Sequence, residues 1–210
     1  MNLAGPTGVV IDPKTNEVFV ADGYRNRRVV VFDADTGAYK RHWGAYGKKP
    51  PDGSQGGNPI EGPYQPSVRS QNFATAHCLA MSRDGLLYVC DRGNNRVQVF
   101  HPDGTFVREN VIAAQTKGMG AVFAIGFSAD KDQRFMYVAD GSNKKVWIVR
   151  RDDLAVVGSF GHGGRGGGQI LLAHALAVDS KGDVYVGESF DNNRVQKFKF
   201  VGMRPATTTK

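Results

Sequence analysis

The sequence predicts an all-β chain folded as a β-propeller array, and three observations carry that expectation. One pattern recurs four times, as VFVADGYRNRRVVVF (18–32), LYVCDRGNNRVQVF (87–100), MYVADGSNKKVWIV (136–149) and VYVGESFDNNRVQKF (184–198). The acids that end the first strand of each copy are Asp22, Asp91, Asp140 and Glu188, spaced by 69, 49 and 48 residues. Spacing of this order in a chain of alternating apolar segments is that of propeller blades. The 27 Gly and 9 Pro of the 210 residues supply the turns that such an array needs.

Each unit resolves into short strands, labelled a to d, separated by turn chemistry. The first gives GVVID, EVFVAD, RRVVVFD and AYKRHWG. The second gives AHCLAMS, LLYVCD, RVQVFH and TFVREN. The third gives FAIGFS, FMYVAD, KVWIVR and AVVGSF. The fourth gives HALAVDS, DVYVGE and RVQKFKF, and no strand d is evident after it. The a–b turns (PKTN, RDG, ADKDQ, SKG) and the c–d turns (DADTG, HPDG, RDD) are rich in Gly, Asp and Asn, as tight hairpins require. One domain is expected over 1–202, with blades at about 5–45, 73–112, 121–160 and 172–202, a long loop at 44–71 and a tail at 203–210.

Bulk properties exclude several classes. No apolar run reaches 18 residues, so no membrane-spanning helix is expected. The start, MNLAGPTGVV, lacks the basic and apolar regions of a secretory leader. The expectation is a soluble chain of unassigned compartment, secreted or periplasmic only if a segment precedes this start. The net charge is +7, but Lys and Arg are scattered through every repeat, so nucleic acid is not an expected partner. Cys78 and Cys90 flank the RDG turn on adjacent strands; a disulfide there needs suitable register, and the reading taken is two reduced, partly buried thiols.

Antiparallel order puts the a–b and c–d turns on one face of the disc. The b–c loops and d–a crossings, including 44–71 and the Gly-rich 158–169, then lie on the other. Loops gathered on one side of a rigid scaffold are where function usually sits. The Gly-rich segment precedes no helix and ends in no Lys-Ser/Thr, so it reads as a crossing rather than a phosphate cradle.

Residues that break the repeat stand out against it. Thr7, His77, Phe123 and His174 are equivalent, each five residues before Asp12, Ser82, Ser128 or Asp179. His77 and His174 therefore enter the channel from blades two apart, and neutral imidazoles so placed suit a metal. After the anchoring acid come Gly23, Arg92, Gly141 and Ser189, and then Tyr24, Gly93, Ser142 and Phe190. Arg92 is a long cation where small residues suffice, and Tyr24 brings a phenol from the neighbouring blade. By contrast, Arg28, Arg96, Lys145 and Arg194, beside Asn26, Asn95, Asn143 and Asn193, recur in every blade and are expected to brace the b–c turns. His42, His101 and His162 share no register.

The pattern FG…GxGQ before an apolar strand, DSxGxVYV and NxRVQxF resembles the NHL repeat family. GPTGVVIDPKTNEVFVADGYRNRRVVVF, AHCLAMSRDGLLYVCDRGNNRVQVF, AVFAIGF and AHALAV are further similar to the lyase domain of peptidylglycine α-amidating enzymes. That resemblance implies a six-bladed ring of which this chain supplies the last four blades. It also implies a zinc ion held by three histidines, with His77 and His174 matching two and the third in blades outside this chain, so that the site here is incomplete. Tyr24 matches the residue thought to take the substrate's hydroxyl proton, and Arg92 its support. The family's acid after the last zinc histidine is Ala175 here, which counts against the structural calcium. The implied activity is zinc-dependent cleavage of a peptidyl α-hydroxyglycine to a peptide amide and glyoxylate, with a small peptide as substrate. The alternative is a non-catalytic NHL scaffold whose loop face meets a protein, peptide or RNA.

Overall fold

The computed structural model describes residues 2–50, 70–190 and 192–202. The interior of the 44–71 loop and the 203–210 tail lie outside the described residues. The repeat becomes four antiparallel sheets. The first holds β1 (Gly8–Asp12), β2 (Glu17–Asp22), β3 (Arg28–Asp33) and β4 (Tyr39–Trp43) in sequential order. The second holds β5 (Ala76–Met81), β6 (Leu87–Asp91), β7 (Arg96–Phe100) and β8 (Phe106–Val111). The third holds β9 (Ala124–Phe127), β10 (Phe135–Asp140), β11 (Lys145–Arg150) and β12 (Val156–Phe160). A short parallel ribbon follows, β13 (His162–Gly163) with β14 (Gln169–Ile170). The last sheet has three strands, β15 (Ala173–Val178), β16 (Val184–Glu188) and β17 (Val195–Phe198). The only helical elements among the described residues are two three-residue 3-10 turns, Ala45–Gly47 and Arg92–Asn94. No helix there is long and apolar enough to cross a membrane.

The sheets stand side by side through their innermost strands, β1 against β5, β5 against β9 and β9 against β15. Period-2 alternation gives each sheet two apolar faces, and successive blades interlock through them. Between blades 1 and 2, Phe19, Ala21, Val29 and Val31 meet Leu87, Val89 and Phe100. Between blades 2 and 3, Tyr88, Cys90, Val97 and Val99 meet Ile125, Met136, Val138 and Val149. Between blades 3 and 4, Tyr137, Ala139 and Val146 meet Ile170, Ala173, Val184 and Val186. Each large side chain so buried contributes about 1.5–3 kcal/mol. Four blades thus share three cores, and the array is an open arc among the described residues. At its first end Val9 and Ile11 of β1 are 63% and 57% exposed, and at its last end Val195 of β17 is 70% exposed.

The anchoring acids brace their b–c turns. Asp22 accepts from Asn26 (2.6 Å) and Arg28 (3.0 Å), and Asp91 accepts from Asn94 (2.7 Å) and Arg96 (2.8 Å). Glu188 accepts from Asn192 and Arg194, both at 2.8 Å. Two expectations need correction. In blades 2 and 4 the bracing amides are Asn94 and Asn192, because Asn95 and Asn193 adopt left-handed φ of 55° and 39° that turn them out of reach. In blade 3 Asp140 accepts from Asn143 (2.7 Å), as expected, but the place of the basic partner is taken by the indole N–H of Trp147 (2.7 Å), and the Lys145 ammonium lies over the Trp147 ring.

The cysteines also depart from expectation: Cys78 and Cys90 form a disulfide. A register shift between Ala76 and Cys78 makes Cys78 the partner of Cys90 across β5 and β6, with Cα atoms 4.9 Å apart, inside the range a disulfide spans.

Candidate functional site

The site is built from the starts of the innermost strands. In β5, Ala76 pairs with Asp91 and Cys78 with Cys90, so His77 is the extra residue of a bulge. In β15, Ala173 pairs with Glu188 and Ala175 with Gly187, leaving His174 in the same position. A bulge re-aims the side chain of its unpaired residue, and both rings are turned to one place. Their centroids are 5.1 Å apart. Phe123, at the same position in blade 3, lies 5.6 Å from His77 and 5.7 Å from His174. The three rings form a triangle, so Phe123 flanks the pair rather than separating it.

Tyr24 and Arg92 close over this cluster. The Tyr24 ring meets His77 edge-on at 6.0 Å, and the Arg92 guanidinium lies 5.6 Å from the Tyr24 ring and 5.0 Å from that of Phe123. Three blades therefore converge through Tyr24, His77, Arg92 and His174, with Phe123 as floor. Arg92 forms no ion pair among the described residues, and its buried Nε has no hydrogen-bond partner there.

Local backbone packing sets these positions. Gly23 is required because a Cβ there would lie 1.9 Å from the carbonyl oxygen of Ala76, at the base of the His77 bulge. A Cβ on Gly120, whose φ is +84°, would lie as close to the Arg92 carbonyl oxygen. Thr7, the blade 1 equivalent of the histidines, donates its hydroxyl to the Ala76 carbonyl at 2.6 Å and fastens blade 1 to the same bulge. Sequence register marked Thr7 as equivalent to the histidines but gave no hint of this role.

His77 is 5% exposed. Burial, then the Arg92 charge, pushes its pKa down to about 4 against the pull of the Phe123 carbonyl. Burial and Arg92 lower that of His174 as well. Both rings are neutral at pH 7, the state in which imidazole binds metal. Nδ1 of His77 sits 2.7 Å from the Phe123 carbonyl oxygen, so it carries the proton and leaves Nε2 with a lone pair. His174 has no hydrogen-bond partner among the described residues. The donor chemistry fits a divalent metal at two positions; among the described residues no third His, Cys, Asp or Glu joins them.

The family model of the NHL repeat matches residues 3–32, 73–100 and 171–198. Three of the four repeats match the NHL repeat, on a chain that folds as a four-bladed β-propeller array. It is 28% identical over 203 residues to peptidyl-glycine alpha-amidating monooxygenase A of Xenopus laevis, covering 89% of this chain and 18% of that protein. It is 29% identical over 196 residues to the peptidylglycine alpha-amidating monooxygenase of Rattus norvegicus, covering 92% and 18%. The chain thus spans under a fifth of the length of these relatives. Among solved structures, the WD40 β-propeller domain of Doa1 superposes with a TM-score of 0.60 over 93% of this chain and 51% of that one, at 13% identity, a likeness of fold.

Proposed function

We propose that this NHL propeller is a zinc-dependent lyase that cleaves peptidyl α-hydroxyglycine into a peptide amide and glyoxylate. One observation carries the reading. Tyr24, His77, Arg92 and His174, the four residues at which the repeat is broken, meet at one point although 150 residues separate the first from the last. Similarity to the amidating monooxygenases supports the substrate class.

In this reading His77 and His174 hold zinc through their neutral rings, and a further blade packed on the open end of the arc brings a third ligand. When bound, the ion supplies Lewis acidity at the substrate hydroxyl. Tyr24 takes the hydroxyl proton. The C–N bond breaks as the carbinol carbon becomes the aldehyde of glyoxylate, and the amide nitrogen gains a proton. Arg92, with no anionic partner among the described residues, receives the substrate carboxylate and stabilises negative charge beside it. The planar guanidinium over Tyr24 and Phe123 fixes the angle of that contact.

The test is glyoxylate release from a peptidyl α-hydroxyglycine with zinc present, under conditions in which the ring is complete. Tyr24→Phe is expected to lower turnover at least about a hundredfold, the scale of general acid–base catalysis, with unchanged folding. Arg92→Lys is expected to raise KM, because a point charge does not reproduce the planar fork. A completed ring that binds zinc but releases no glyoxylate would reject the lyase reading.

A further inference from the structure

The Cys78–Cys90 disulfide is the one covalent cross-link among the described residues, and the activity above leaves it without a role. It sits between the elements that make the site. Cys78 directly follows His77 in the bulge of β5. Cys90 lies two residues before Arg92 at the end of β6, and Asp91 between them accepts from the backbone N–H groups of Ala74 and Thr75. The Arg92 N–H returns to the Thr75 carbonyl at 2.9 Å. The cross-link, the bulge and the Arg92 turn form one small closed unit.

The molecule holds its own control. In blade 4 the same bulge carries His174, and the paired positions after it are Ala175 and Gly187. A Cβ built on Gly187 would lie 3.2 Å from that of Ala175, so side chains at this pair of positions face one another in blade 4 as they do in blade 2. Blades 1 and 3 place Gly8 opposite Ala21 and Ala124 opposite Ala139 there. Blades 2 and 4 share the bulged geometry, and only the blade that supplies both His77 and Arg92 fills it with a cross-link.

We propose that Cys78–Cys90 is a redox latch on the His77 and Arg92 positions: closed, it fixes the bulge that aims His77, and opened by a thiol it loosens that bulge and weakens metal binding. The proposal rests on the zinc reading and deepens it. A bulged residue lacks ladder hydrogen bonds of its own, so its aim depends on its neighbours. Cys78 is the less buried of the two cysteines, so the Cys78 sulfur is taken as the one a thiolate attacks. Attack breaks the S–S bond, forms a mixed disulfide on Cys78 and releases Cys90, which takes a proton. A second thiol then displaces Cys78 as a thiol, so the disulfide gains two electrons and two small thiols become one disulfide. The β6–β7 ladder does not involve the S–S bond, and both thiols can stay packed in the core between blades 2 and 3 once it is broken, so the opening is local.

The experiment compares oxidised protein, phosphine-reduced protein and the Cys78→Ala/Cys90→Ala double variant. Backbone hydrogen exchange is followed without metal, and zinc affinity is read by competition with a chromophoric chelator. The latch predicts faster exchange at 75–79 and 90–93 after reduction, with 172–176 in blade 4 unchanged. It also predicts zinc affinity about tenfold lower in reduced protein, the low end of what losing a supporting group costs a metal site. The double variant should match the reduced protein and ignore the reductant. Unchanged exchange at both segments, exchange that rises equally in blade 4, or a double variant with the oxidised affinity each overturn the latch. With the ring complete, local exchange that responds to reduction in a protein binding no zinc in either state would overturn the zinc reading and leave the backbone latch standing.

Discussion

His77 donates its Nδ1–H to the carbonyl oxygen of Phe123 across 2.7 Å, joining the innermost strand of blade 2 to the entry of blade 3. The bond selects one tautomer and one ring orientation. It also ties the histidine to the residue whose own side chain supports His174 and Arg92. The floor of the site and its metal-facing edge are thus one mechanical unit.

Phe123→Ala tests that unit. Phe123 is 1% exposed and its ring touches both imidazoles and the guanidinium. Truncation is expected to cost about 3–5 kcal/mol of stability. Denaturant unfolding measures the loss, and zinc titration should show weaker binding in Phe123→Leu, which keeps most of the volume but not the ring.

Gly23→Ala is expected to damage the site from a distance. The added methyl meets the Ala76 carbonyl, and relieving that overlap displaces the bulge at a cost of about 1–3 kcal/mol. A lower thermal midpoint together with weaker zinc binding would bear this out. An unchanged midpoint would refute it.

Much of this arrangement was legible in the sequence, because a repeat supplies its own alignment. Counting back from the a–b turns put Thr7, His77, Phe123 and His174 in one register, and the structure brings the last three together. Counting forward from the anchoring acids put Tyr24 and Arg92 on neighbouring loops. What counting misses is anything that changes spacing by one. The bulges at His77 and His174 shift the pairing, and that shift set Cys78 opposite Cys90. The left-handed residues at Asn95 and Asn193 likewise moved the bracing role to Asn94 and Asn192. The ring of Trp147 displaced Lys145 from Asp140 because an indole N–H satisfies a buried acid without bringing a charge with it.

Arg96→Met is expected to be among the most destabilising single changes. Arg96 and Asp91 are fully buried and bonded at 2.8 Å, and Arg96 also reaches Glu109 at 3.2 Å. Removing the cation leaves a buried carboxylate short of its partner, at a cost of about 3–5 kcal/mol. Chemical denaturation reads the effect, and Asp91→Asn/Arg96→Met should recover part of it.

Acid should unfold the chain in a window set by two carboxylates and one imidazole. Hydrogen bonds from Arg41, against burial, hold Glu17 at about 2. Burial pushes Glu188 up, but the Leu171 N–H, Arg194, Asn192 and Gln196 together bring it to about 2. Both values lie below the unfolded value of about 4.3. Their stabilisation is present above that pH and is lost as pH falls toward 2. His77, depressed to about 4 from about 6.5, adds a loss of the same sign over that higher interval. Glu17→Gln and Glu188→Gln should each flatten the lower limb of stability against pH, and His77→Gln the upper limb.

The open arc has a direction. Phe19, Tyr88 and Tyr137 point from blades 1, 2 and 3 into the blade that follows, and Tyr185 holds the equivalent place in blade 4. Val9 and Ile11 hold the places from which Leu79, Met81, Leu176 and Val178 receive the blade before. One end of the arc is therefore a plug and the other a socket. Two copies meeting by mirror-like pairing of identical ends would set plug on plug or socket on socket and leave the other surface uncovered. Any assembly that covers both must run head to tail, so added blades extend the arc in one rotational sense until it closes or climbs.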